Sequence, residues 1–432
     1  MTFKLGDLTA GELNDAITSP SITYNESGLP AATFSHYDLF NEPINNQLAA
    51  APFSAAKGAT NGVDLYKIHY SIHNKGAWPD PVTGLLAIPK GLNTTTLPLL
   101  SWQHGTVMAP NEGPSSIMVN DQLQRSPEGS VLAGQIRSSE TLFNLVRFAG
   151  NGYAMAAADY NGIGDSKTAQ YYALKEPTNK ATTGMLKAAK AVLGRLGIST
   201  DSLYLNGWSQ GAVNTLWLGE QLRKLNEPVV KQASSSTFSD INKSADYWFN
   251  SFEGWPQWGS SVFPLLLAAY ENYYNIKGLM KAAIKPQYLP IAEAMQKGLI
   301  NWDQVPSPKP GEGLLGLPLT GKELLNEQFL DDFNNKRGFF YQRLQENAVT
   351  MERRPDHPVR FYGGGLDAII PPGVSVELPT AFYAPMATGT IVAPTATHRS
   401  TFLGSLFGST QDPNIDIGTW FQQSDGFSAG AA

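Results

Sequence analysis

The run Ser202-Leu203-Tyr204-Leu205-Asn206-Gly207-Trp208-Ser209-Gln210-Gly211, continued by Ala212 to Leu225, leaves a chain few ways to fold. Apolar residues lead into a Gly-x-Ser-x-Gly signature and an amphipathic stretch leaves it, the order of strand, sharp turn and helix that a nucleophile elbow requires. Gly207 and Gly211 suit such a turn, because it brings backbones too close for a Cβ, and the serine at its apex takes a strained conformation. The strain lifts the Ser209 hydroxyl over the end of a sheet. The N–H of Gln210 then lies at a helix N-terminus, placed to hold a developing oxyanion.

Strand-like and helix-like runs alternate on both sides of the elbow. Tyr66, Ile68, Tyr70 and Ile72 alternate with Lys67, His69 and Ser71, the period of a half-buried strand. A turn at Ala77 to Pro81 leads to a second strand over Val82 to Ile88, and the two predict an antiparallel hairpin. Leu97 to Trp102 and Tyr153 to Ala158 read as buried strands, Ser139 to Phe148 and Thr182 to Leu196 as helices, the latter stopped by Gly197. Further strands are predicted at Val229 to Ser236, Val359 to Tyr362 and Gly389 to Ala393. This alternation predicts an α/β class fold: a mostly parallel central sheet with helices on both faces.

The predicted organisation has five parts: an irregular N-terminal arm (1–60), a first core segment (61–239), a helical cap or lid insertion (240–345), a second core segment (346–423) and a flexible tail (424–432). The arm is rich in Pro, Asn, Ser and Ala, with one short helix expected at Ala10 to Ile17. Within the insertion, Ile291 to Leu299 predicts a helix. Thr320-Gly321-Lys322-Glu323 reads as a capping box opening another through Phe333.

Composition narrows the function. A net charge of -6 offers no basic field for phosphates, which argues against nucleic acid as a partner. No run of apolar residues is long enough to span a membrane. With 0 cysteines, a disulfide, a thiolate zinc site and a cysteine nucleophile are all excluded. The N-terminus lacks a signal peptide's apolar core, so the chain is either intracellular or begins after a removed leader. A secreted or periplasmic location with the leader removed is the favoured expectation. Trp248, Phe249, Trp255, Trp258 and Phe263 crowd the start of the insertion, where some of them are expected to face a substrate pocket together with His104, Thr106 and Trp208.

A serine hydroxyl is a poor nucleophile at neutral pH and needs a base, itself oriented by a carboxylate. With only 6 histidines the search is short. His36 lies in the arm, His69 and His73 on the first hairpin, His104 after a strand assigned to the other side of the sheet, and His357 before Pro358. His398 follows the last predicted strand, in a loop able to reach back over the strand ends, and is the expected base. Asp367 ends the Val359-to-Tyr362 strand in a Gly-rich turn and is the expected acid; Asp356 is at the wrong end of that strand. Asp159 and Asp165 are read as braces of the sheet end. The order Ser209, Asp367, His398 is that of the α/β-hydrolase fold.

The sequence resembles the α/β-hydrolases, and within them the bacterial and fungal secretory lipases. Trp102-Gln103-His104-Gly105-Thr106 is similar to that group's oxyanion strand end. Asp159-Tyr160-Asn161-Gly162-Ile163-Gly164-Asp165-Ser166 is similar to its D-Y-x-G-x-G turn, and Gly207-Trp208-Ser209-Gln210-Gly211 to its elbow, often G-Y-S-Q-G. The likeness spans about residues 60–240 and 355–402, with the arm and insertion unmatched. It implies a serine esterase whose second oxyanion donor is a backbone N–H at His104 to Thr106, with Gly105 favoured. The expected reaction is hydrolysis of a medium-sized apolar or aryl ester through an acyl-enzyme, with no metal or organic cofactor. A serine peptidase or amidase, an acyltransferase, and a non-catalytic binding protein that kept the fold are the alternatives.

Overall fold

Ala154, Ala156 and Ala158 pack against one face of the sheet and Met155 and Ala157 against the other, and all five are buried. Leu86 and Ile88 alternate in the same way with Leu85 and Ala87, and Leu99 with Leu100 and Trp102. Strands buried on both faces need helices on both faces. A computed structural model supplies them, and describes residues 1–19, 22–24, 32–40, 57–74, 79–117, 138–300, 312–349 and 355–423.

The chain begins with β1 (Thr2–Leu8) and α1 (Ala10–Thr18), then the short antiparallel pair β2 (Ile22–Tyr24) and β3 (Ala32–Phe34), and α2 (His36–Phe40). The first core segment holds β4 (Val63–Ile72), β5 (Asp80–Pro89), β6 (Thr96–Gln103), α3 (Ser139–Arg147) and β7 (Ala154–Ala158). It continues through α4 (Lys175–Arg195), β8 (Ser199–Trp208), α5 (Gln210–Lys224) and β9 (Lys231–Ser235). The insertion contains α6 (Ile241–Asn250), α7 (Val262–Tyr274), α8 (Leu279–Ala283), α9 (Leu289–Gln296), α10 (Gly321–Leu324), α11 (Glu327–Asn334) and α12 (Gly338–Asn347). Last come β10 (Val359–Gly363), α13 (Leu378–Tyr383), β11 (Ala387–Ile391), α14 (His398–Phe407) and α15 (Ile417–Gln422).

Among the described residues, nine strands form one sheet in the order β1-β4-β5-β7-β6-β8-β9-β10-β11. Pairing is antiparallel from β1 to β7 and parallel from β7 to β11. On one face, α3, α14 and α15 cover Trp102 and Tyr362. On the other, Met185 of α4 and Leu218 and Leu222 of α5 cover Leu99 and Leu205. The insertion joins β9 to β10, and its apolar side packs on Val213, Leu216 and Trp217 of α5. The elbow helix therefore serves the sheet and the insertion at once.

Four expectations need correction. The arm is not irregular at its start, because β1 pairs with β4 from Thr2↔Ile68 to Leu8↔Val63. An edge strand has one neighbour and little burial, and with Phe3 48% exposed its alternation carries no apolar contrast. The strand before His104 is not remote from the elbow: β6 hydrogen-bonds directly to β8, with Gln103 opposite Gly207. α4 starts at Lys175, before Thr182, since Pro177 falls in its first turn, where a missing N–H costs nothing. The Thr320–Glu323 capping box forms, but its helix ends at Leu324, where Leu325 turns aside to bridge Ile284, and α11 restarts at Glu327. The turn at 77–78 and the tail from 424 lie outside the described residues.

Candidate active site

The elbow forms because β8 delivers Ser209 to the sheet's end and α5 leaves at once. Ser209 has φ 55° and ψ -119°, a conformation that costs about 1–3 kcal/mol and persists only where the surroundings enforce it. They do: Ser209 N–H donates to Ser235 O at 2.9 Å, and its own carbonyl accepts from Ala212 N–H at 3.0 Å. A Cβ on Gly207 would overlap Gly211 O and Thr215 Oγ1, and one on Gly211 would overlap Gln103 O. Neither position admits a larger residue.

Three side chains singled out from the sequence lie together at this edge. His398 Nε2 is 2.9 Å from Ser209 Oγ, and His398 Nδ1 is 2.9 Å from Asp367 Oδ2 and 3.1 Å from Oδ1. With Nδ1–H donated to the carboxylate, Nε2 is left as acceptor for the serine hydroxyl. His398 opens α14, whose cap ties Thr397 N–H to Ser400 Oγ at 2.7 Å. Trp208 Nε1–H donates to His398 O at 3.2 Å, so the residue before the nucleophile also fixes the imidazole's backbone. Ser209, Asp367 and His398 are 7%, 2% and 1% exposed, which keeps water from screening the relay.

Asp367 is held from three further directions. Ile369 N–H and Ile370 N–H donate to Oδ1 at 3.0 and 2.9 Å, and Ser236 Oγ–H donates to Oδ2 at 2.8 Å. Ser236 is fully buried and has φ 50°, so a second strained serine lies beside the first. Sequence reading missed it. The available signal was its place just past the end of β9, neighbour to the elbow strand. Asp356 lies apart, with its Oδ1 3.0 Å from His357 Nδ1. Asp159 is a brace, accepting Ser115 N–H, Ser115 Oγ–H and Thr83 Oγ–H at 2.7, 2.5 and 2.5 Å.

On the oxyanion side, Gln210 opens α5, where the first N–H groups have no partner within the helix. The Gly105 N–H departs from expectation: it donates to Glu140 Oε2 at 2.6 Å. His104 is buried. Its ring stacks on Tyr160 with centroids 4.1 Å apart, and its nitrogens face Gly105 O at 2.8 Å and Asp159 O at 3.2 Å. Burial pushes its pKa down, against the pull of those carbonyls. Thr106 Oγ1 is 3.0 Å from the Tyr172 hydroxyl.

The insertion's aromatics divide. Trp258 lies against the relay, its ring 5.8 Å from that of His398 and under the Arg399 guanidinium at 5.2 Å. Trp248 is buried and donates Nε1–H to Ile369 O at 2.8 Å, bracing the Asp367 turn. Phe249 and Phe263, expected among the residues facing a pocket, are both buried. They meet edge to face at 5.6 Å in the insertion's own core, where Phe249 also packs on Phe333. Trp255 is 38% exposed. Among the described residues no group of three His, Cys, Asp or Glu side chains could hold a metal ion, and no helix is long and apolar enough to cross a membrane.

No family model and no curated protein matches the chain by sequence. Solved structures do match in shape. A Legionella pneumophila protein assigned as a candidate hydrolase superposes with a TM-score of 0.71, at 18% identity over 99% of each chain. The rice cell wall degrading esterase LipA of Xanthomonas oryzae gives 0.67, at 19% identity over 91% of this chain and 90% of its own. Candida antarctica lipase A in its closed state gives 0.53, at 15% identity over 84% and 82%. With the sheet order and elbow described above, these likenesses establish the class: the chain has the α/β-hydrolase fold.

Proposed function

We propose that the chain is a serine-dependent carboxylic ester hydrolase acting on a medium-sized apolar or aryl ester. The observation that carries this reading is the buried run Ser209 Oγ, His398 Nε2, His398 Nδ1, Asp367 Oδ2, with both links at 2.9 Å and the serine on a strained elbow. The esterase and lipase named among the structural neighbours support ester over amide chemistry.

In this mechanism His398 takes the Ser209 proton as the hydroxyl oxygen attacks the ester carbonyl. Asp367 holds the imidazole in the Nδ1–H tautomer and stabilises the imidazolium that forms. The Gln210 N–H holds the tetrahedral oxyanion, a contribution of about 3 kcal/mol per donor. His398 then gives its proton to the leaving alcohol, and water, deprotonated by the same base, releases the acid and frees Ser209. Trp258, beside the base, is the apolar wall against which the substrate lies.

A panel of p-nitrophenyl esters of increasing chain length, run beside a p-nitroanilide, tests the reading. Ester turnover that Ser209→Ala reduces by at least about 10³-fold supports it. Anilide turnover with inert esters would replace it with a peptidase or amidase.

A further inference from the structure

A base that takes the Ser209 proton becomes a cation, and His398 is buried, so bulk water is kept from solvating that charge. Asp367 meets the imidazole at one edge, through Nδ1, and Nε2 is turned to Ser209. Two indoles lie beside the ring. The centroid of Trp208 is 5.0 Å from that of His398 with the planes inclined at 36°, and the centroid of Trp258 is 5.8 Å away at 50°. An inclination of 36° brings the Trp208 and His398 rings nearer to face contact than to edge contact. Trp208 ends the elbow strand and Trp258 lies between α6 and α7, so the core and the insertion supply one indole each.

Trp208 is fixed in this place. Its Nε1–H donates to His398 O at 3.2 Å, and its ring packs on Phe402 of α14 at 5.0 Å and on Phe40 of α2 at 5.7 Å. A Cβ on Gly105 would come within 2.9 Å of Trp208 Cε3, so the far side of the indole is filled as well. The Trp258 ring is shared with the Arg399 guanidinium at 5.2 Å, which leaves the larger part of any attraction for the imidazolium to Trp208.

We propose that Trp208 and Trp258 are positioning residues acting through His398, their π systems stabilising the imidazolium as it forms. The proposal rests on the ester-hydrolase reading. An indole attracts a cation within about 6 Å of its centroid, more strongly than a phenyl ring does, and most strongly where both are shielded from water. A neutral imidazole draws little of that attraction. The interaction therefore grows as the proton moves, and an interaction made only in the transition state raises kcat without changing KM. Asp367 holds the charge at the Nδ1 edge, and the indoles hold it at the flanks of the ring.

The test measures kcat and KM on a p-nitrophenyl ester, and the rate of fluorophosphonate labelling, in the wild type and in Trp208→Phe, Trp208→Leu, Trp258→Phe and Trp258→Leu, each checked for folding by thermal melting. Trp208→Leu keeps apolar bulk but no π system, and is expected to lower kcat about tenfold with KM within about twofold of the wild type. Trp208→Phe keeps a π system without the N–H, so its kcat falls between those of the wild type and Trp208→Leu. Trp258→Leu lowers kcat less than Trp208→Leu, and Trp258→Phe less again. Labelling, which needs the same proton transfer, slows in the same order. Leucine variants with wild-type kcat, or a Trp208→Phe loss as large as that of Trp208→Leu, overturn the proposal. If Trp208→Leu does not fold, the Trp258 pair decides by the same ranking. An active, labelled wild type with level leucine variants sinks this proposal alone, whereas an unlabelled, inert wild type sinks the ester-hydrolase reading and the proposal with it.

Discussion

Asp367 receives hydrogen bonds from His398, Ser236, Ile369 and Ile370, so its charge is held in place before any substrate arrives. Such preorganisation is where a carboxylate's contribution to acyl transfer originates. Asp367→Asn is expected to lower kcat by about 10⁴-fold without unfolding the chain, because the amide reverses the imidazole tautomer. Ser236→Ala removes one donor to a charged group and is expected to lower kcat about tenfold with KM nearly unchanged. Steady-state kinetics on one ester checks both, and wild-type activity in Asp367→Asn would contradict the role given to Asp367. The elbow and a short roll of histidines made Ser209, Asp367 and His398 legible in the sequence. Ser236 was not, because it acts through Asp367, a neighbour that only the folded chain supplies.

At the scale of elements, α3 and α15 are joined by charge. Arg147 Nε–H donates to Asp416 Oδ1 at 3.1 Å and to Leu406 O at 2.9 Å, Lys57 Nζ–H donates to Asp416 Oδ2, and Asp416 also caps α15 by accepting Thr419 N–H at 3.0 Å. Burial works to raise the Asp416 pKa, but Arg147, then Lys57, outweigh it and leave it below the ordinary value. A depressed carboxylate adds stability above its unfolded pKa, and that contribution fades as pH falls through the folded value. Asp416→Asn should therefore cost about 3–5 kcal/mol in urea unfolding at neutral pH, shrinking in acid where the wild type is itself protonated. An equal difference at both pH values would contradict this. Periodicity located most elements, since burial on one face writes itself into sequence. It missed β1, which buries little, and the break after α10, which answers to Ile284 on a distant helix end.

At the scale of the molecule, the alternation of strands and helices made the doubly covered sheet legible. The insertion was legible as helical but not in its orientation. Its aromatics serve two purposes: Phe249, Phe263 and Phe333 build its core, while Trp258 reaches the relay. Composition alone cannot sort them, because both uses demand large apolar side chains. Trp258→Ala should change chain-length preference across the p-nitrophenyl esters by several-fold in kcat/KM while thermal stability holds. Phe249→Ala should do the reverse, costing about 3–5 kcal/mol of stability.

Everything functional turns on whether one hydroxyl is made nucleophilic by the imidazole beside it. Peptide mapping by mass spectrometry after fluorophosphonate treatment reads that directly. The expected result is a single adduct on Ser209 in the wild type, lost in His398→Ala while the fold is retained. An unmodified Ser209, or an adduct that forms equally fast without the imidazole, would contradict the account.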